Sequence, residues 1–360
     1  MGRFSTSCLM LQTEVNDDIQ PSVHLSVSPL ARSGCASIKT FPEDWRVIEV
    51  IDQSWSGEGE HAYVYVEKRN MNTAQVAAWL AQQYDVKEMN VGYCGMKDKF
   101  ALTQQWFSVH SPLDIDAAEL SFGKASELSE SADSLAVEAI DASDGKAGSV
   151  RVLQATRHNK KLRRGEHALN HFQITLRDLA ANDSLDEESL SALGLPFANY
   201  FGPQRFGTHN IESALAWLKD RRSRKISRKV RGWHFSVLRS LLFNKITEAR
   251  VQAGNCHSFI DGDVKEFIVP SGSLWGRGRT VLTNDALHIE TQALAADAWV
   301  CEALEFAGVD RGLRPLSVQP QDFNYAKLAD GALVINFALP PGAYATVLLA
   351  QHFDIKDNSR

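Results

Sequence analysis

Asn90-Val91-Gly92-Tyr93-Cys94-Gly95-Met96-Lys97-Asp98-Lys99-Phe100, with Thr103 to Val109 just beyond it, is the stretch on which the reading of this chain turns. Asn90 to Cys94 and Thr103 to Val109 have the composition of strands, and Gly95 to Phe100 makes a tight loop between them. Asp98 stands on that loop between Lys97 and Lys99, where a rigid scaffold on either side can hold a carboxylate at a cleft. Flanking cations favour the carboxylate anion, which suits a nucleophile or base and not a general acid. A Lys-Asp-Lys turn is more commonly a solvated hairpin tip, so the local sequence leaves both readings open.

Outward from the loop the pattern is mixed. His61 to Glu67 alternates, with Ala62, Val64 and Val66 on one side and Tyr63 and Tyr65 on the other, as in a strand. Asn72 or Thr73 then caps a helix whose apolar residues Val76, Leu80 and Tyr84 recur at helical spacing. Phe172, Ile174 and Leu176 alternate with Gln173, Thr175 and Arg177 in another strand, and Leu333 to Phe337 makes a late one. Helices dominate from Ala214 to Arg250, where Leu238, Leu241, Leu242 and Ile246 form an apolar stripe. No repeat is visible.

Composition narrows the function classes. At 360 residues, 44% apolar and 23% charged, the chain can build one large or two ordinary cores, and disorder, collagen and coiled coil are excluded. It has no apolar run of about 18 residues and no signal-peptide core at its start, so it reads as cytoplasmic, without membrane attachment. Its five cysteines are scattered, with no C-x-x-C pair, which argues against a disulfide framework or a zinc site.

The net charge of −6 conceals a strong polarity. Asp114 to Lys146 holds nine carboxylates against two lysines and reads as an acidic surface segment. Arg151, Arg157, Lys160, Lys161, Arg163, Arg164 and Arg177 follow, with His158, His167 and His171 among them and only Glu166 opposing. Arg221, Arg222, Arg224, Lys225, Arg228, Lys229 and Arg231 then place seven cations in eleven residues. One such run is as readily a solvated face as a binding surface; two in an acidic protein point to a phosphate-facing side.

Other catalytic motifs are absent. No H-E-x-x-H, no G-x-S-x-G elbow and no phosphate loop occurs; Gly57-Glu58-Gly59-Glu60 lacks the following Lys-Ser or Lys-Thr and would repel phosphate. Asp261-Gly262-Asp263 can hold a magnesium ion, as a metal-dependent RNA hydrolase requires, although a turn is its commoner meaning. One candidate aspartate and two basic tracts favour an enzyme that acts on nucleic acid with no cofactor and no metal.

Several strings together resemble the TruD family of tRNA pseudouridine synthases. They are Ser56-Gly57-Glu58-Gly59-Glu60-His61, Asn72-Thr73, Val91 to Lys99, Gln105-Trp106, Arg157-His158, Lys161-Leu162-Arg163 and Asn170-His171-Phe172. Asn199-Tyr200-Phe201-Gly202-Pro203-Gln204-Arg205-Phe206-Gly207, Arg239-Ser240, Phe243-Asn244, Asp261-Gly262-Asp263, Leu339-Pro340 and Tyr344-Ala345-Thr346 continue them in family order. The resemblance implies an α+β, V-shaped molecule with a central cleft: a pseudouridine-synthase catalytic domain on a mainly antiparallel sheet, plus an inserted α/β TRUD domain. The catalytic domain is expected at 36–206 and 316–360 and the insertion at 207–315; residues 1–35 form an extension that matches nothing recognisable.

It further implies that Asp98 is the catalytic aspartate, Lys39 its basic partner, Phe172 the aromatic that stacks on the target base, and Asn170 an active-site asparagine. Glu49 matches the acidic end of an Asp-aromatic-x-x-x-Glu pattern, and Trp45 replaces the usual Phe within it. Arg205 is carried over as substrate-binding. The implied partner is tRNA, the implied site uridine 13 in the D-arm, and a monomer is the default expectation. A non-catalytic tRNA-folding module is the alternative from a different class.

Overall fold

The computed structural model describes residues 34–112, 136–140, 148–179, 186–220 and 225–359. The acidic stretch therefore lies outside the described residues apart from the backbone of Ala136–Ile140, as do Arg221, Arg222 and Arg224 and all of the N-terminal extension before Gly34.

One sheet organises what is described. Its strands run in the order Gln321–Lys327, Leu333–Leu339, Leu169–Leu176, Trp45–Val50, Leu102–His110, His61–Arg69, Gly148–His158, Ala136–Ile140, and Val91–Tyr93 also pairs with Leu102–His110. Only Trp45–Val50 and Leu102–His110 run parallel; the remaining pairs of this sheet are antiparallel. The α+β, mainly antiparallel expectation holds.

Alternation sorts the residues onto two faces. Ala62, Val64 and Val66 pack against Val76 and Leu80 of the helix Thr73–Gln83 and Tyr84 at its end. Asn72 is the cap: its Oδ1 accepts from Gln75 N at 2.8 Å, and Gln75 Oε1 accepts from Asn72 N at 2.9 Å. Tyr63 and Trp106 face the other way, against Cys94 and Leu162.

Farther along the Ala62 face, Trp45, Val47, Ile174 and Phe337 join a second apolar cluster with Leu348 and Leu349 of the helix Ala345–Ala350. That cluster continues through Leu238 and Leu242 of the helix Arg228–Gln252 to Val300 and Leu304, so the segment 207–315 packs on the same core as the sheet. Leu238, Leu241, Leu242 and Ile246, the predicted stripe, are all buried.

Between the two apolar clusters this face turns polar. Register places Glu49, Thr103, Lys68 and Gln105 there, and all four are buried. Buried polar groups need partners. The loop after Val91–Tyr93 supplies them.

Candidate active site

Two neighbours, Thr73 and Gln105, hold the Asp98 loop. Thr73 Oγ1 accepts from Lys97 N at 2.9 Å and donates to Gln105 Oε1 at 3.1 Å, while Gln105 Nε2 donates to Gly95 O at 3.1 Å. Two separate sequence strings thus serve one loop: in Asn72-Thr73 the asparagine starts the helix and the threonine carries Lys97, and in Gln105-Trp106 the glutamine carries Gly95. A Cβ on Gly95 would stand 3.0 Å from Glu49 Oε2 and 3.1 Å from Lys97 Nζ, which is why glycine occupies the turn.

Lys39 Nζ donates to Asp98 Oδ2 at 3.0 Å; the lysine side chain is 4% exposed and the aspartate 35%. Lys39 follows the strand Cys35–Ile38 with φ of 56°, a left-handed conformation that costs a non-glycine residue about 1–3 kcal/mol. The chain's last strand offsets this cost, since Asp354–Asp357 pairs in parallel with Cys35–Ile38 and Asn358 N donates to Ile38 O at 3.0 Å. Lys39 Nζ also lies 4.6 Å from the Trp45 ring centroid.

Lys97 does not serve Asp98 as the sequence suggested. Its Nζ is 2.6 Å from Glu49 Oε2 and donates to Asn170 Oδ1 at 2.6 Å. Asn170 Nδ2 and His167 Nε2, 3.1 Å apart, continue the chain. Burial raises the Glu49 carboxyl above its ordinary range despite the opposing Lys97 charge. Burial, with Lys97 acting in the same sense, pushes His167 down to about 4, which leaves it neutral near pH 7.

A cavity of ≈ 250 Å³ opens beside this network. Trp45, Lys97, Asp98, His167, Asn170 and Phe172 line it, together with Gln204 and Gly342 to Thr346. Phe172 stacks on Phe337, with centroids 5.3 Å apart and planes at 22°, and meets Trp45 edge-on at 6.3 Å. Asp98 and Phe172 both border the cavity, so Asp98 is more than a solvated hairpin tip.

Other sequence candidates lie elsewhere. Arg205 is outside the cavity lining: its Nε donates to Ser240 Oγ at 3.2 Å, Nη2 bonds Ser236 Oγ, and the guanidinium lies over Trp233. Arg157 braces the Gly57–Glu60 turn by donating to Gly59 O at 2.8 Å and to Ser111 O at 2.7 Å, and His158 packs against Trp55 and Tyr63. Arg164 stacks on Tyr93 at 4.2 Å, and Lys161 Nζ donates to Met89 O. Lys160 and Arg163 are exposed, as are Lys225, Arg228, Lys229 and Arg231. Asp263 is a structural residue, since Arg250 holds both its oxygens at 2.8 Å, with both side chains buried. Among the described residues no cluster of three or more metal-ligating side chains occurs.

Two site neighbours escaped the sequence reading. Lys68 Nζ donates to the main-chain oxygen of Asp98 at 2.6 Å. Carrying the Ala62-Val64-Val66 alternation one step further places Lys68 on the buried face, a signal that was present. His167 lay within a basic run and offered no such cue.

The family described as tRNA pseudouridine synthase D (TruD) matches this chain over residues 30–216. The chain is 37% identical to the tRNA pseudouridine synthase D of Methylococcus capsulatus, with 93% of this chain and 94% of that protein aligned. It is 36% identical to the protein of the same description from Cellvibrio japonicus, over 88% of each. A solved structure from Methanosarcina mazei, described as a tRNA pseudouridine synthase D, shares the fold at TM-score 0.62 and 18% identity, covering 92% of this chain and 97% of that one.

Proposed function

From the premise that the chain belongs to the TruD family of tRNA pseudouridine synthases, we propose that Asp98 is the group through which it isomerises a tRNA uridine. One observation carries this reading: the Asp98 carboxylate, gripped by Lys39, borders a cavity that Phe172 and Asn170 also line. At ≈ 250 Å³ the cavity is just below the ~300–1,000 Å³ usual for small-ligand pockets, a size suited to one nucleoside and not to a duplex.

The uracil cannot turn inside a stacked helix, so the nucleotide is first everted, at a cost of a few kcal/mol. Phe172 offsets part of this by stacking on the base, worth about 1–3 kcal/mol. Its ring is itself stacked on Phe337, so it presents a fixed surface. The Asp98 anion then either attacks C1′ or removes the C2′ proton; both routes release N1 from C1′. The freed base turns and C5 bonds to C1′, which on the first route expels the Asp98 carboxylate from C1′ and on the second takes the C2′ proton back from Asp98; C5 then gives up its proton and N1 gains one. Lys39 keeps the carboxylate aimed throughout. The amide of Asn170 is oriented by Lys97 on its oxygen and His167 at its nitrogen, which supports a role for its remaining N–H in hydrogen-bonding the base edge.

The tRNA is taken to lie in a cleft between a catalytic domain of residues 36–206 and 316–360 and an insertion of residues 207–315, its uridine 13 in the cavity. The exposed cations Lys160, Arg163, Lys225, Arg228, Lys229 and Arg231 are the phosphate contacts. Arg228, Lys229 and Arg231 sit in the first turn of the long helix, where the dipole disfavours positive charge, and an RNA backbone would relieve that cost.

The experiment is Asp98→Asn, assayed by mapping pseudouridine in tRNA after chemical derivatisation. The variant is expected to bind tRNA near wild-type affinity and to form no pseudouridine. Residual turnover would remove Asp98 from the mechanism, and tRNA remodelling without any modified base in the wild type would favour a folding module.

A further inference from the structure

Lys68 is the buried cation that the isomerisation chemistry leaves unused. It lies on the strand His61–Arg69 between Thr103 and Val150, at 1% exposure. Among the described residues it has no ion pair, and its hydrogen bond goes to the main-chain oxygen of Asp98 at 2.6 Å. A sealed ammonium without a carboxylate is costly, and an apolar side chain of similar length would pack there more favourably. Burial accordingly drives its pKa down to about 7, against the pull of Asp98.

Asp98 is therefore held at both ends. Lys39 takes the carboxylate, and Lys68 takes the carbonyl from the sheet face that the loop covers. The peptide that follows Asp98 cannot rotate without leaving a buried amine donor unpaired. We propose that Lys68 is a positioning residue for the isomerisation, fixing the main chain of Asp98 so that its carboxylate faces the cavity. This rests on the reading of Asp98 as catalytic.

The test compares full-length wild type, Lys68→Met and Asp98→Asn by single-turnover pseudouridine formation, tRNA affinity and thermal unfolding. Lys68→Met removes the donor to the Asp98 carbonyl at nearly constant volume. It is expected to lower the rate constant about 100-fold, the order that an ångström of misplacement costs, with tRNA affinity unchanged and melting temperature unchanged or raised. A purely structural lysine gives the opposite pattern, altered melting with wild-type turnover, and that result overturns the proposal. If Lys68→Met does not fold, Lys68→Gln, a neutral donor of shorter reach, decides the matter in the same way: wild-type turnover overturns it and a lowered rate constant at unchanged affinity supports it. A wild type that forms no pseudouridine would overturn the isomerase reading itself, a failure separate from an active wild type with an equally active Lys68→Met.

Discussion

Lys97 and Glu49 form an ion pair of 2.6 Å in which neither side chain has appreciable contact with water, the lysine 5% and the glutamate 0% exposed. Asn170 completes the lysine's set of partners, whereas Glu49 Oε1 has no hydrogen-bond partner among the described residues. The pair joins the Asp98 loop to the sheet, so it couples the stability of the fold to the shape of the cavity beside that loop. Removing one partner leaves a buried charge uncompensated, at about 3–5 kcal/mol. Glu49→Ala is expected to lose stability on that scale in urea denaturation, and Glu49→Leu combined with Lys97→Met to recover most of it. A single variant as stable as wild type would show that the pair is not the strut described.

Acid should find His167. Its folded pKa of about 4 lies below the ordinary histidine value of 6.5, so between those values the unfolded chain binds a proton that the folded chain refuses. Stability contributed by the neutral ring is thus present above pH 6.5 and declines as pH falls towards 4. His61, His234, His257 and His352 are lowered by burial as well, so only the difference between proteins isolates His167. His167→Leu is expected to lose less stability than wild type between pH 7 and about 5; parallel losses would contradict the assignment.

The proposed function gives Phe172 a second duty, base stacking, beside its packing on Phe337, and substitution can separate the two. Phe172→Tyr retains the ring and is expected to keep most activity. Phe172→Ala forfeits about 1–3 kcal/mol of base stacking, or roughly 5- to 150-fold in kcat/KM, besides its packing on Phe337. Equal kcat/KM for the two variants would place the everted base elsewhere.

Salt dependence should sort the basic residues. Charge-neutral substitutions at the exposed Lys160, Arg163, Lys229 and Arg231 are expected to flatten the slope of log affinity against log salt, by about 0.7–0.9 for each phosphate left unneutralised. Arg157→Gln is expected instead to lower the melting temperature with the slope intact, because its guanidinium is occupied by Gly59 O and Ser111 O. An unchanged slope for all four exposed residues would take both tracts off the RNA path.

Periodicity was sufficient for the local elements. The alternation of Ala62, Val64 and Val66, the Asn72 cap and the Leu238-Leu241-Leu242-Ile246 stripe each depend on neighbours within one segment, and all three stand in the fold. Asp98 and Phe172 were legible through the strings that contain them. The N-terminal strand boundary was not: Asn90 ends a short 3-10 turn, Glu88–Asn90, and the strand is only Val91–Tyr93.

What no segment could state is which charge meets which. Lys97 and Lys99 flank Asp98 in sequence, yet Lys97 turns to Glu49, and the cations that grip Asp98 come from 59 and 30 residues away, Lys39 on its carboxylate and Lys68 on its carbonyl. Lys39 in turn depends on the chain's last strand, through Asn358 and the pairing of Cys35–Ile38 with Asp354–Asp357. Side-chain alternation is set by bonds along the chain and is therefore written in one segment's residues. Partnership between buried charges is set by register across strands and by the desolvation that forces each charge to find a counterpart, and both exist only once the sheet has closed over them.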